Sequence, residues 1–184
     1  MKKSFAIAAL TIAAIVLGTD NVQAQALTAS ATTTATITLS DVISIDTGSV
    51  ASGGTVGFNY ASAADYNTAQ TVDQASALKV TSTKAFDIKV RAGGTDFKNG
   101  SNLIPVSVLT ITAKPSATKG MGGDKAPIVL TENDQKLVTG ALLGSALTLD
   151  LDYTIPAAKS SSSDILGKPA GKYTQTVIYT ASTL

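Results

Sequence analysis

The sequence predicts an all-β protein, an antiparallel sandwich, and three observations predict it. Apolar and polar residues alternate with period two in several segments, the signature of strands with one buried face. Gly, Ser, Asn and Asp interrupt these segments at short intervals. No stretch of useful length carries helical periodicity. Thr and Val are abundant, and their branched side chains fit a pleated surface. Many one-sided strands are buried most simply by two sheets packed face to face; a closed barrel is the alternative.

Taken in chain order, the first residues predict export. Lys2 and Lys3 precede an apolar run, residues 5–17, interrupted only by Thr11. Small residues then offer cleavage after Ala24 or after Ala26, as a signal peptidase requires. The run is short for a membrane span of about 20 residues. Residues 1–24 are therefore expected to be a cleaved signal peptide, with cleavage after 26 as the other option, and the mature protein to be secreted. Residues 25–40 are expected to form an extended N-terminal arm and residues 41–184 one β-sandwich domain.

Within the arm, Thr33, Ala35, Ile37 and Leu39 share one face of an extended chain. Such a segment could complete the sheet of another molecule by strand addition, or pair within its own domain. Val42 to Asp46 is the first strand of the domain. Val56, Phe58 and Tyr60 alternate with polar or small residues, and a strand from about Ala75 to Thr83 carries Leu78 and Val80. Phe86, Ile88 and Val90 face inward, against Asp87, Lys89 and Arg91 on a wet face. Residues 92–101 read as a loop. Val106 and Val108 share one phase and Leu109 and Ile111 the other, a slip expected at a bulge or in a strand buried on both faces. Residues 114–125 and 159–168 are further loops, and Glu132-Asn133-Asp134 reads as the turn of a hairpin. Leu147, Leu149, Leu151, Tyr153 and Ile155 form the clearest one-sided strand. In the last strand Tyr173, Val177 and Tyr179 face one way, and Thr174, Thr176 and Thr180 the other.

Composition narrows the function. The chain has 14 Lys and Arg against 13 Asp and Glu; without Lys2, Lys3 and Asp20 the balance is neutral. Neutrality argues against nucleic acid as a partner. With no His and no Cys there is no imidazole base, thiolate nucleophile, disulfide, or imidazole or thiolate zinc site. Asp150 and Asp152 share a strand face, but an alternating wet face accounts for them without calcium or acid–base work. Residues 167–172 imitate a phosphate loop with the wrong spacing, and no G-x-S-x-G elbow occurs. The expectation is a non-enzymatic protein with no cofactor and no bound metal. Asn99-Gly100-Ser101 fits a glycosylation sequon, making Asn99 a candidate site, although Asn-Gly is also a turn signal.

Two stretches and one ending then carry a resemblance. Thr34 to Leu39 (TATITL) is followed at once by Asp41 to Asp46 (DVISID), and Leu103 to Val108 (LIPVSV) is a Pro-led strand. Residues 169–179 (PAGKYTQTVIY) give a Gly-x-Tyr turn feeding a final alternating strand. In this layout the chain resembles the major pilins of alternate chaperone–usher fimbriae, the colonisation-factor type, and related secreted bacterial immunoglobulin-like domains. The resemblance implies an incomplete immunoglobulin-like sandwich whose groove takes a neighbour's N-terminal arm. It thereby implies a head-to-tail homopolymer at the cell surface, a periplasmic chaperone and an outer-membrane assembly partner. On that reading Thr33, Ala35, Ile37 and Leu39 are the polymerisation arm, while Tyr173, Val177 and Tyr179 are the candidate acceptor groove. The alternative is a self-complete secreted module that binds glycan or protein through loops 92–101 and 114–125. Glycan decoration is compatible with either.

Overall fold

The computed structural model describes residues 29–46, 49 and 54–184. The basic start, the apolar run and both cleavage options lie outside the described residues. The chain divides into two units, Met1–Thr38 and Leu39–Leu184. In the first, residues 29–38 have no helix or strand and every one is exposed.

The second unit is an antiparallel sandwich. Its strands are β1 (Ile43–Ile45), β2 (Gln70–Ser82), β3 (Phe86–Ala92), β4 (Asp96–Asn99), β5 (Asn102–Pro105), β6 (Thr110–Pro115), β7 (Asp124–Lys125), β8 (Ile128–Val129), β9 (Gln135–Ala141), β10 (Gly144–Ile155) and β11 (Val177–Thr183). Sheet one has the order β1-β2-β10-β6-β8, sheet two β11-β3-β9-β7, and β4-β5 is a separate hairpin. Two short helices, α1 (Ala63–Asn67) and α2 (Ala157–Ser160), are each about one turn long. Immunoglobulin sandwiches run A-B-E-D in one sheet and C-F-G in the other. Here β1-β2-β10-β6 takes the first order and β11-β3 stands as F beside C. The departure is β9, which sits on the far side of β3 like a C′ strand but comes late in the chain.

Alternation builds the core where both sheets turn inward. Leu78, Val80, Phe86, Ile88, Val90, Leu149 and Leu151 are all fully buried. Full burial of such side chains contributes about 1.5–3 kcal/mol each, enough in sum to hold a domain with no disulfide.

The wet faces are not all wet. Asp87 is buried, its Oδ1 accepting from the Gly140 N–H at 2.9 Å and its Oδ2 meeting Lys136 Nζ at 3.0 Å. The amide bond first, and Lys136 second, hold this carboxyl below its ordinary pKa. A depressed folded pKa gives stability that is present above the unfolded carboxylate value of about 3.9 and lost as pH falls through and below it. Asp87→Asn should therefore cost about 2 kcal/mol at pH 7. It should also flatten the acid loss, as urea unfolding at pH 7 and pH 3 would show.

Four further expectations are corrected. The slip at Val106 to Ile111 is neither a bulge nor a strand buried on both faces: β5 ends at Pro105 and a 3₁₀ turn over Val106–Val108 resets the phase before β6. Glu132-Asn133-Asp134 does not close a hairpin, because β8 pairs with β6 in sheet one while β9 pairs with β3 in sheet two. The turn carries the chain between sheets. Residues 92–101 hold β4 and the Gly100–Ser101 turn into β5, Gly100 having φ +59°. The last strand begins at Val177, not at Tyr173.

Bulges appear where no Gly announces them. Ser76 and Ala146 have φ of 51° and 54° and sit at the two register shifts between β2 and β10. Each bulge turns an amide away from the ladder, and a side chain of the opposite strand takes it. Ser76 N donates to Asp150 Oδ1 at 2.7 Å and Ala146 N to Thr81 Oγ1 at 3.0 Å.

Candidate functional site: a groove beside an open strand edge

Among the described residues β11 pairs only with β3, so it is an edge. Gly93 N donates to Thr176 O at 2.9 Å and Leu184 N to Ala85 O at 3.0 Å, which fixes the phase of the ladder. In an antiparallel pair, alternate residues turn both backbone groups to the same side. The N–H and C=O of Val177, Tyr179, Ala181 and Thr183 consequently point away from β3, and among the described residues no strand pairs with them, although β1 lies close to β11. This is the place of a G strand in a complete immunoglobulin sandwich.

An open groove of about 890 Å³ adjoins this edge. Val108, Leu109, Tyr153 and Ile155 of the core line it, together with Phe97 and Ile104 of the β4–β5 hairpin. Tyr173, Val177 and Tyr179, which share a phase in the sequence, all line it too. Tyr173 Oη donates to Pro169 O at 2.9 Å, four residues upstream, a bond of the tyrosine-corner kind. Thr174 bridges to Lys98 of β4, tying the segment before β11 to the hairpin.

Residues 54–60 also line the groove. Val56, Phe58 and Tyr60 are half-buried against the core while Thr55, Gly57 and Asn59 are exposed, so the alternation read from the sequence is real. The segment is nevertheless not a strand, and it makes no backbone hydrogen bond among the described residues. Its far end is anchored: Tyr60 Oη meets Ser160 Oγ at 2.8 Å, and the Tyr60 ring lies 4.9 Å from that of Tyr66.

Two tyrosine hydroxyls meet in this lining, which also includes Lys168, Lys172, Thr174, Gln175 and Thr176. Tyr153 Oη and Tyr179 Oη are 2.6 Å apart. Burial pushes both phenols above their ordinary pKa, Tyr179 the further of the two. A raised folded pKa makes the contribution complete below the unfolded phenol value of about 10 and lost as pH rises above it. The melting temperature should hold to about pH 9.5 and fall beyond. Tyr153→Phe/Tyr179→Phe should lessen that fall, at a cost near 1 kcal/mol at neutral pH.

Thr33, Ala35, Ile37 and Leu39 are exposed, Ile37 at 84% and Leu39 at 87%. Asn99 is half-buried at the β4 end, and a Cβ at Gly171 would stand 2.1 Å from its Nδ2, so the amide is packed against that glycine. Asp152 pairs with Lys114, which also approaches Asp73 at 3.9 Å, and Asp150 serves the Ser76 bulge. Among the described residues no group of three or more acidic side chains is placed to hold a metal. Two Ser-x-x-Lys spacings, Ser76–Lys79 and Ser116–Lys119, fall in β2 and in the loop after β6. Phe97, the aromatic residue of loop 92–101, is partly buried against the core and lines the groove.

Sequence reasoning missed residues 54–60 and the Val108–Leu109 turn as groove elements. Only the inward phase of Val56, Phe58 and Tyr60 pointed to the first. Among the described residues no helix is long and apolar enough to cross a membrane. No protein-family model matches the chain, and no curated protein is significantly similar to it.

Proposed function

We propose that this protein is an exported structural subunit that polymerises into a surface fibre by strand addition, in the manner of the pilins it resembles. The observation that carries the reading is the unpaired β11 edge bordering a groove into which core residues open. The donor is the N-terminal arm of another copy, with Thr33, Ala35, Ile37 and Leu39 directed into the groove. Residues 33–39 match β11 in length, 7 residues. Backbone hydrogen bonds to Val177, Tyr179, Ala181 and Thr183 hold the polymer, and the small apolar contacts set its register. Burying Ile37 and Leu39 contributes about 1.5–3 kcal/mol each, so the backbone ladder carries the larger share. A contact between two different surfaces of one chain does not close, and it propagates as a filament.

Negative-stain electron microscopy of the sheared surface fraction tests this, with cells whose protein lacks residues 27–39 as comparison. Filaments are expected in the first and none in the second. If the full chain gives no filaments and the truncated chain folds as a monomer, strand addition is wrong.

A further inference from the structure

The exposed large aliphatic side chains of the sandwich are not scattered. Among the described residues from Val42 onward they are Val42, Leu103, Val129, Leu142, Leu143, Leu166 and Leu184. The ladders assign each to an end. Ile43 and Gly144 pair with Ser82, and Ala141 and Thr183 with Phe86, so Val42, Leu142, Leu143 and Leu184 share one end. Ile155 pairs with Gln70, Thr110 with both Thr154 and Val129, and Val177 with Ala92. Val129 therefore belongs to the opposite end, where the chain also leaves β3 for the β4–β5 hairpin that carries Leu103 and leaves β10 for the segment that carries Leu166.

Leu142 and Leu143 are the least expected. They are the whole connection between β9 and β10, exposed at 72% and 64%. So tight a connection ordinarily takes Gly, Asn or Asp, whose backbones turn easily and whose side chains suit water. Two leucines there serve no internal packing.

We propose that the leucine end of one copy, formed by Leu142, Leu143 and Leu184, packs on the Leu103–Leu166 end of the next copy. The inference rests on the strand-addition reading and names which ends meet. Leu39 to Asp41 lie beside Thr83, and Val42 N and Thr83 Oγ1 are 2.9 Å apart, so the arm joins the body at the leucine end. β11 starts at the opposite end, at Val177, and runs back. An arm added antiparallel to it finishes at that opposite end, bringing the donor's leucine end onto it. Ile104 and Ile165 line the groove there, and Leu103 and Leu166 are their exposed neighbours, at 42% and 51%. The receiving surface is thus continuous with the groove mouth.

The chain has no native cysteine, so Leu143→Cys/Leu166→Cys in the full chain provides a direct test. Mild oxidation of assembled material should give a ladder of disulfide-linked multimers on non-reducing gels, while neither single variant cross-links across the contact. Leu142→Ser/Leu143→Ser should fold normally and raise the concentration needed for half-assembly roughly tenfold. Filaments that form without a ladder, at an unchanged assembly concentration in the serine variant, overturn the end contact and leave strand addition standing. A parent chain that forms no filaments, together with a double-cysteine variant that gives no ladder, overturns both.

Discussion

Ala181→Pro should leave the monomer folded and reduce filament yield at least about tenfold, the largest effect expected of any single change on assembly. Ala181 pairs with Ile88 in the β3–β11 ladder, but its own N–H faces the open side. Proline there removes a donor that β3 does not use and places its ring where an added strand would lie. Edge strands tolerate proline in that orientation. The neighbouring substitution supplies the control. Thr180 turns its N–H toward β3, so Thr180→Pro deletes a ladder bond inside the subunit and should cost the monomer about 1–3 kcal/mol. Urea unfolding reads the first quantity and pelleting of assembled protein the second. Ala181→Pro filaments at the parental yield would show that β11 is not the receiving edge.

Phe86→Ala should be the most damaging core substitution, lowering monomer stability by about 3–5 kcal/mol. Phe86 is fully buried, the largest such side chain, and is held between partners on both sides, Ala141 of β9 and Thr183 of β11. Neighbours fixed in two ladders collapse poorly into the space a ring vacates. A loss of that size is a large part of the 5–15 kcal/mol that separates a folded domain from its unfolded chain. Phe58→Ala should cost clearly less, because Phe58 is only half-buried at the groove and makes no ladder. Equal losses at the two positions in urea unfolding would mean that residues 54–60 are part of the closed core.

Period-two alternation was legible wherever a strand buries one face against the opposite sheet. That is why β3 and the stretch from Leu149 to Ile155 of β10 read cleanly. It failed where the physics is not local. A turn signal such as Glu132-Asn133-Asp134 announces a reversal but not whether the next strand joins the same sheet. The bulges at Ser76 and Ala146 use residues with no preference for positive φ, because distant side chains, Asp150 and Thr81, take their amides. Asp87 sits where a wet residue belongs by alternation, yet Gly140 and Lys136 satisfy it in burial. Val56, Phe58 and Tyr60 carry the full pattern of a strand without a partner. Pattern reports which face is apolar; hydrogen bonding decides whether the segment becomes sheet.

Those two bulges also bear on mechanics. β2 and β10 are the longest strands, of 13 and 12 residues, and they lie side by side in opposite directions. Tension applied between the ends of the sandwich drags one along the other. A regular ladder can yield to such drag by creeping two residues at a time, since every second register restores the pairing. Here creep must carry a left-handed residue out of its seat at both Ser76 and Ala146 and strand the amides that Asp150 and Thr81 hold. The bulges act as two rivets through the longest seam of the molecule.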